Sequence, residues 1–277
     1  MNLRQIKLVI SDIDGTLLTT HHLIDDQLKD VLLELHQKAI PFILASARSP
    51  EGMSPITEEL NLSDNPLVCY NGALVLKKQS DENYTVLFSH ELNRTDVQQL
   101  INLINTKFPH VTINLYSGSE WYVDKIDKWT KIEADITKEH PIVKNIQQLL
   151  LNVALPIHKL LLIGESEEIK QLLEYCTNLR LPNSSFYLSK DNYLEITHRD
   201  VSKDKALVEL SKYYDVPLEN TMAIGDNFND IPMLSLAGLG IVMDNAPEEV
   251  KKSTNLKTTD NNHNGVSKAI RKFILDT

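Results

Sequence analysis

The chain of 277 residues has only two cysteines, Cys69 and Cys176, far apart and each among apolar neighbours. That excludes a disulfide-stapled secreted scaffold and predicts buried free thiols in a reducing compartment. Positive charge is also short: 28 Lys and Arg against 38 Asp and Glu leave a formal net charge of -10. The basic face of a general nucleic-acid or anionic-membrane binder is therefore not expected. No apolar run approaches the roughly 20 residues of a membrane span. The run after Met1-Asn2-Leu3-Arg4-Gln5 is about five residues, too short for the apolar part of a signal peptide. Low-complexity tracts and strong internal repeats are missing as well. These absences predict a cytoplasmic protein that binds neither nucleic acid nor membrane; its subunit state, monomer or homodimer, is left open by the sequence.

What is present is ordinary in bulk and unusual in one place. A content of 42% hydrophobic and 24% charged residues describes a globular protein, and the length suits one large domain or two modest ones. The unusual place is Asp12-Ile13-Asp14-Gly15-Thr16-Leu17, directly after the apolar run Ile6-Lys7-Leu8-Val9-Ile10. A buried strand that empties into two carboxylates and a glycine builds a core poorly. It suits a magnesium-dependent phosphoryl-transfer site at the carboxyl end of a parallel strand, where open α/β sheets bind their ligands.

Strand and helix signals alternate through the amino-terminal part. Asp25 or Asp26 can cap a helix carrying Leu28, Val31, Leu32, Leu35 and Ala39 at helical spacing. A strand over Ile40 to Leu44 precedes a Ser49-Pro50 helix start, and Leu67 to Tyr70 ends at an Asn71-Gly72 turn. From about Asp81 the pattern becomes half-exposed alternating strands, Tyr84 to Leu92, Val111 to Leu115 and Glu120 to Val123, with a helix around Val97, Leu100, Ile101 and Ile104. A similar set follows: His158 to Ile163, a helix from Glu167 to Tyr175, then Phe186 to Leu188 and Tyr193 to Ile196. After Thr197 the α/β alternation resumes, and Asn255 to Asn264 reads as a polar loop. The expected fold is α/β: a Rossmann-like parallel sheet core over 1–81 and 197–277, with an inserted α+β domain over 82–196.

Four segments fall at strand ends of this core. They are Asp12 to Leu17; Ser46 with Arg48 close behind; Lys203 opening a helix; and Gly225-Asp226-Asn227-Phe228-Asn229-Asp230. Singly, each has an ordinary structural explanation: a loop hydroxyl, a solvated helix lysine, a turn with a helix cap. Together they form a complete set for phosphoryl transfer, which needs strict positioning and charge neutralisation more than covalent work. Magnesium takes oxygen ligands and keeps several waters, so two or three carboxylates from separate loops suffice.

These segments resemble the motifs of the haloacid dehalogenase superfamily of aspartate-nucleophile phosphatases, and the sequence is most similar to its Cof-type branch. Asn71-Gly72-Ala73, Leu194-Glu195-Ile196 and the Met233-Leu234 pair add to the resemblance, which spans nearly the whole chain. It implies a Mg2+-dependent phosphatase for a small phosphorylated metabolite, a sugar phosphate or phosphorylated cofactor. Asp12 would be nucleophile and metal ligand, and Asp14 acid, base and carbonyl ligand to the metal. Asp226 would be a further ligand, with Asp230 behind a metal-bound water. Ser46 would bind phosphate, Lys203 offset charge, Asn229 orient Lys203 or the phosphate, and Arg48 touch substrate beyond the phosphate. The insert would be the cap that selects substrate.

Several spellings depart from the family's. Ser46 stands for threonine, Ala47 for glycine, His198-Arg199-Asp200 for a proline, lysine and glycine, and Asp204 for a glycine. Ala47 would make a positive φ uncomfortable. No reacting group is lost. A phosphomutase of the same superfamily remains open, as does a switch that holds its aspartyl phosphate without turnover. The histidines show no ligand spacing of the zinc-protease kind, and Trp121, Tyr122 and Trp129 are expected to pack the insert.

Overall fold

The computed structural model describes residues 5–79, 83–179 and 181–276. Met1 to Arg4 and the expected 81/82 domain boundary lie outside them. In chain order the elements used below are β1 (Leu8–Ser11), α1 (Leu28–Gln37), β2 (Phe42–Ala45), α2 (Pro50–Glu59), β3 (Leu67–Cys69), β4 (Leu74–Lys78) and β5 (Tyr84–Ser89). Then come α3 (Arg94–Lys107), β6 (Thr112–Ser117), β7 (Glu120–Val123), α4 (Lys128–Thr137), β8 (Ile142–Val143), α5 (Ile146–Leu149), β9 (Lys159–Ile163), α6 (Ser166–Asn178), β10 (Ser184–Lys190) and β11 (Tyr193–His198). The chain continues through α7 (Lys203–Tyr213), β12 (Thr221–Gly225), α8 (Ile231–Leu236), β13 (Leu239–Val242) and β14 (Leu256–Lys257).

By internal contacts the chain forms two compact units. The first holds the described residues of Met1–Ala47, Ser54–Phe88 and Ser202–Thr277; the second holds Arg48–Met53 and those of Ser89–Val201. In the first unit an eight-stranded sheet runs β14-β13-β12-β1-β2-β3-β4-β5. Its centre is parallel, with Ile10 beside Ala223 on β12 and Ile43 on β2. Leu8, Val9 and Ile10 are fully buried, as a strand covered on both faces requires. The parallel α/β core expected from the alternation is the one observed.

Two local expectations change, and the structure adds a helix, α4, that the sequence patterns do not name. Tyr84 to Leu92 reads as the first strand of the insert, yet β5 stands at the edge of the first sheet beside β4. Gln79 N–H bonding the Asn83 carbonyl at 2.7 Å closes a short connection, and alternation alone does not say which sheet a strand joins. The polar loop Asn255 to Asn264 contains β14, paired in parallel with β13, and a short 3₁₀ turn at Asn261–His263. Helix α4 carries no inward apolar stripe. It buries Thr130 and Glu133, while Ile132 and Ile136 are exposed, so the usual periodicity is inverted. Its local signal is Asp127, whose carboxylate accepts the Trp129 and Thr130 N–H groups.

The second unit holds a six-stranded sheet, β10-β11-β9-β6-β7-β8. It is antiparallel except where β7 pairs β8. Ile113, Leu115, Leu160, Leu162, Leu194 and Ile196 share one core with Val97, Leu100 and Ile104 of α3 and Ile169 and Leu172 of α6. Alternation sends the neighbouring residues to the other face, among them Asn114, Tyr116, Lys159, Tyr193 and Glu195. Trp121 packs there as expected, buried and donating its indole N–H to Asn114 at 3.0 Å. Cys69 and Cys176 are buried free thiols. No helix among the described residues is long and apolar enough to cross a membrane.

Candidate active site

The first sheet places its charge at strand ends. Asp12 follows β1, and its N–H bonds the Ile224 carbonyl at 2.9 Å, so the residue is held where β1 and β12 finish side by side. The chain then folds tightly, with the Ile13 carbonyl accepting the N–H groups of Leu17 and Leu18 at 2.9 Å each. This turn requires Gly15, which takes φ +82° and whose absent Cβ would lie 2.4 Å from an Asp226 carboxylate oxygen. Thr16 donates to Asp226 Oδ1 at 2.6 Å. Asp14 projects from the same loop and is exposed.

Asp226 leaves the end of β12, and the following turn is built on Asp230. One oxygen of Asp230 accepts the N–H groups of Asp226 and Asn227 at 3.0 and 2.9 Å, and the other accepts Lys203 Nζ at 2.7 Å. Gly225 is needed for this packing, since a Cβ there would meet the Asp230 side chain at 2.6 Å. Lys203 opens α7, is 1% exposed, and also donates to Asp12 Oδ1. Asp12, Asp226 and Asp230 each offer an oxygen within 4.8 Å of the others.

This is three carboxylates around one buried ammonium, and the electrostatics reflect the imbalance. Burial, opposed by Lys203 and reinforced by Asp230 and Asp226, raises the Asp12 carboxyl well above the usual range. Burial also pushes Asp226 up, against its Thr16 hydrogen bond and with repulsion from Asp230, to about 6. Lys203 loses by burial but gains more from Asp12 and Asp230, so its charge is held more firmly than in water.

Sequence reasoning nominated eight residues. Asp12, Asp226, Asp230 and Lys203 form one bonded group, and Asp14 lies two residues from Asp12 on the solvent side. Ser46 follows β2 and is 2% exposed; its carbonyl accepts the Asn71 N–H at 2.7 Å. Asn229 donates to Asn71 Oδ1 at 3.2 Å, while Lys203 is oriented by Asp12 and Asp230. Arg48 belongs to the second unit, where it donates to the Gly52 carbonyl at 3.3 Å. The expected discomfort at Ala47 does not arise, because the chain takes no positive φ there; Tyr70 and Asn71 do so instead. One residue was missed altogether. Asn245 donates to the Gly15 carbonyl at 2.8 Å and reaches Asp226 Oδ2 at 3.4 Å, and nothing local in Asp244-Asn245-Ala246 announces that role.

The haloacid dehalogenase-like hydrolase family model matches residues 9–270. The chain belongs to that family. It is 34% identical to a Haemophilus influenzae protein provisionally named a phosphatase, over 94% of this chain and 95% of that one. It is 30% identical to the 5-amino-6-(5-phospho-D-ribitylamino)uracil phosphatase YcsE of Bacillus subtilis, over 98% and 96%. A solved haloacid dehalogenase-like hydrolase of Bacteroides thetaiotaomicron superposes with TM-score 0.86 at 27% identity, covering 98% of this chain and all of that one. A subclass IIB sugar phosphatase, BT4131, shares the fold at TM-score 0.79 and 23% identity, over 96% and 98%. The family and its relatives make this chain a phosphoric monoester hydrolase.

Proposed function

We propose that the chain is a Mg2+-dependent phosphatase that hydrolyses a small phosphorylated metabolite, a sugar phosphate or phosphorylated cofactor, through an aspartyl phosphate on Asp12. The observation that carries this reading is the buried Asp12–Lys203–Asp230 group. It is a carboxylate held in position by a lysine, with an exposed carboxyl, Asp14, two residues away.

Lys203 holds one Asp12 oxygen, which leaves the other to attack phosphorus. As the Asp12–phosphorus bond forms, the bond to the leaving oxygen breaks, and Asp14 protonates that oxygen. The Asp14 carboxylate then takes a proton from water, whose oxygen attacks phosphorus and releases Asp12 and inorganic phosphate. The Ser46 hydroxyl donates to a phosphate oxygen, and Lys203 offsets charge shared between Asp12 and the phosphoryl group. Asp230, with both oxygens already accepting N–H groups, acts by holding Lys203 and the Asp226 backbone in place.

The donor set fits magnesium: it is all oxygen, carries excess negative charge, and includes a carboxyl that burial and the neighbouring Asp230 raise to about 6. Asp12, Asp226 and the Asp14 carbonyl would hold it, with Asp230 behind them. When bound, the ion neutralises charge on this cluster and on the phosphate oxygens. A cytoplasmic monomer or homodimer free of nucleic acid and membrane belongs to the same reading, as does a specificity role for residues 82–196.

The test is release of phosphate from p-nitrophenyl phosphate with and without magnesium. Multiple turnovers that need magnesium and fall at least about a thousandfold in Asp12→Asn are expected. Stoichiometric labelling without turnover would overturn the reading.

A further inference from the structure

The first unit has a cavity of about 820 Å³ at the end of its sheet opposite Asp12. Lys7 stands just before β1, Ile40 and Pro41 just before β2, and Val216 between α7 and β12; all four line it. Small-molecule sites typically enclose about 300–1,000 Å³, and the reaction above uses none of these residues.

Two parts of the wall have rare backbone geometry. Helix α1 is followed by Ala39 at φ 53°, a left-handed conformation that costs a non-glycine residue about 1–2 kcal/mol. The closing helix, Gly265–Ile270, widens into a π turn over Arg271–Leu275. The Asp276 N–H closes that turn on the Arg271 carbonyl at 2.9 Å, and the turn carries Phe273 and Ile274 to the cavity. Rare geometry of both kinds gathers at functional sites.

The polar groups of the wall favour one charge. Helices α1 and α7 turn their carboxyl ends here, which by itself favours a cation. Carbonyls of those ends are already engaged, accepting the N–H groups of Ala39, Ile40, Asp215 and Val216 at 2.9 to 3.2 Å. Among the described residues no carboxylate lines the cavity. Lys7 and Lys38 do line it, and neither ammonium has a carboxylate partner among those residues. Tyr214 and Phe273 add aromatic surface, and the buried Ile6 and Val216 add apolar surface. Two unpaired ammoniums beside aromatic surface suit a planar ring that carries negative charge. A cation would be repelled, and a neutral ring would gain nothing from either lysine.

We propose that this cavity binds a small aromatic carboxylate, its ring against Tyr214 and Phe273 and its carboxylate on Lys7 and Lys38. The site is separate from the acidic cluster. Extended chain through β1 carries Lys7 away from Asp12 by about 16 Å at 3.3 Å per residue, so one small ligand cannot fill both.

Indole-3-acetate is the probe, because it has no phosphoryl group to lose, and indole-3-acetamide is its neutral match. Ligand-observed NMR titration of the full chain should give saturable binding of the acid, about fivefold or more tighter than the amide. Lys7→Gln and Lys38→Gln should each weaken the acid about two- to fivefold and leave the amide unchanged, and Phe273→Leu should weaken both. Both lysines are exposed, so the glutamine variants keep the fold. Their turnover of p-nitrophenyl phosphate should match the wild type's. No saturable binding of the acid, equal affinity for acid and amide, or an affinity unmoved by both glutamine variants overturns the site. Turnover that falls in step with binding overturns it too, because the probe would then be reporting on the acidic cluster.

Discussion

Replacing Asp226 with asparagine should stabilise the metal-free protein at neutral pH while removing its response to magnesium. Asp226 has an ordinary value of 3.8 that rises to about 6 in the folded chain, through burial and then Asp230, opposed by Thr16. A rise of that size holds about 3 kcal/mol against the ionised form. The folded state therefore binds more protons than the unfolded chain between those values, and stability falls as pH climbs from about 4 to about 6. Asparagine keeps an acceptor for Thr16 but loses the 3.4 Å approach of Asn245 to Oδ2, worth about 1 kcal/mol at most. The net gain at pH 7 is about 2 kcal/mol, shrinking to nothing or reversing near pH 4. Urea unfolding in chelator, at pH 4 and pH 7, measures it as variant minus wild type, so other titrating groups cancel. Far-UV circular dichroism is the probe, because Trp121 and Trp129 both lie in the second unit. Added magnesium should then stabilise the wild type by mass action and the variant far less. A variant less stable at pH 7, or a difference flat from pH 4 to pH 7, would refute the electrostatic account.

Gly15→Ala should combine a left-handed backbone with a clash against Asp226, costing about 2–4 kcal/mol in thermal unfolding and weakening magnesium binding by calorimetry. Buried His158 is held neutral, pushed down to about 4 by burial, and accepts the Gly118 N–H at 3.0 Å. Its contribution is intact above about pH 6.5 and is lost as pH falls toward 4, up to about 3 kcal/mol; tryptophan fluorescence during acid titration should show the second unit loosening in that window, and a His158→Gln variant should flatten it. Exchanging residues 82–196 for the corresponding segment of a relative should move the substrate profile across a phosphometabolite screen; an unchanged profile would remove the specificity role from that segment.

Much of this protein is written in local signals. The core strands are short, continuously apolar and bounded by turn residues, so β1, β2 and β12 are recognisable without partners. The acidic loops after β1 and β12 are unusual enough to nominate Asp12, Asp14, Asp226 and Asp230, while Lys203, which opens α7, is nominated only in combination with them. The polar elements read less well. Helix α4 hides because its buried face is Thr130 and Glu133, β5 because alternation does not name its sheet, and β14 because two residues carry no period.

The sequence by itself determined the class of chemistry, because carboxylates, a lysine and a serine hydroxyl at strand ends have few other uses. Tertiary structure alone decided how they divide the work. Asp230 is saturated by N–H groups and Lys203 is shared between two carboxylates. Asn245, far along the chain, ties the loop of Gly15 to Asp226. Those facts depend on distances between residues up to 230 positions apart in sequence, which no local pattern encodes.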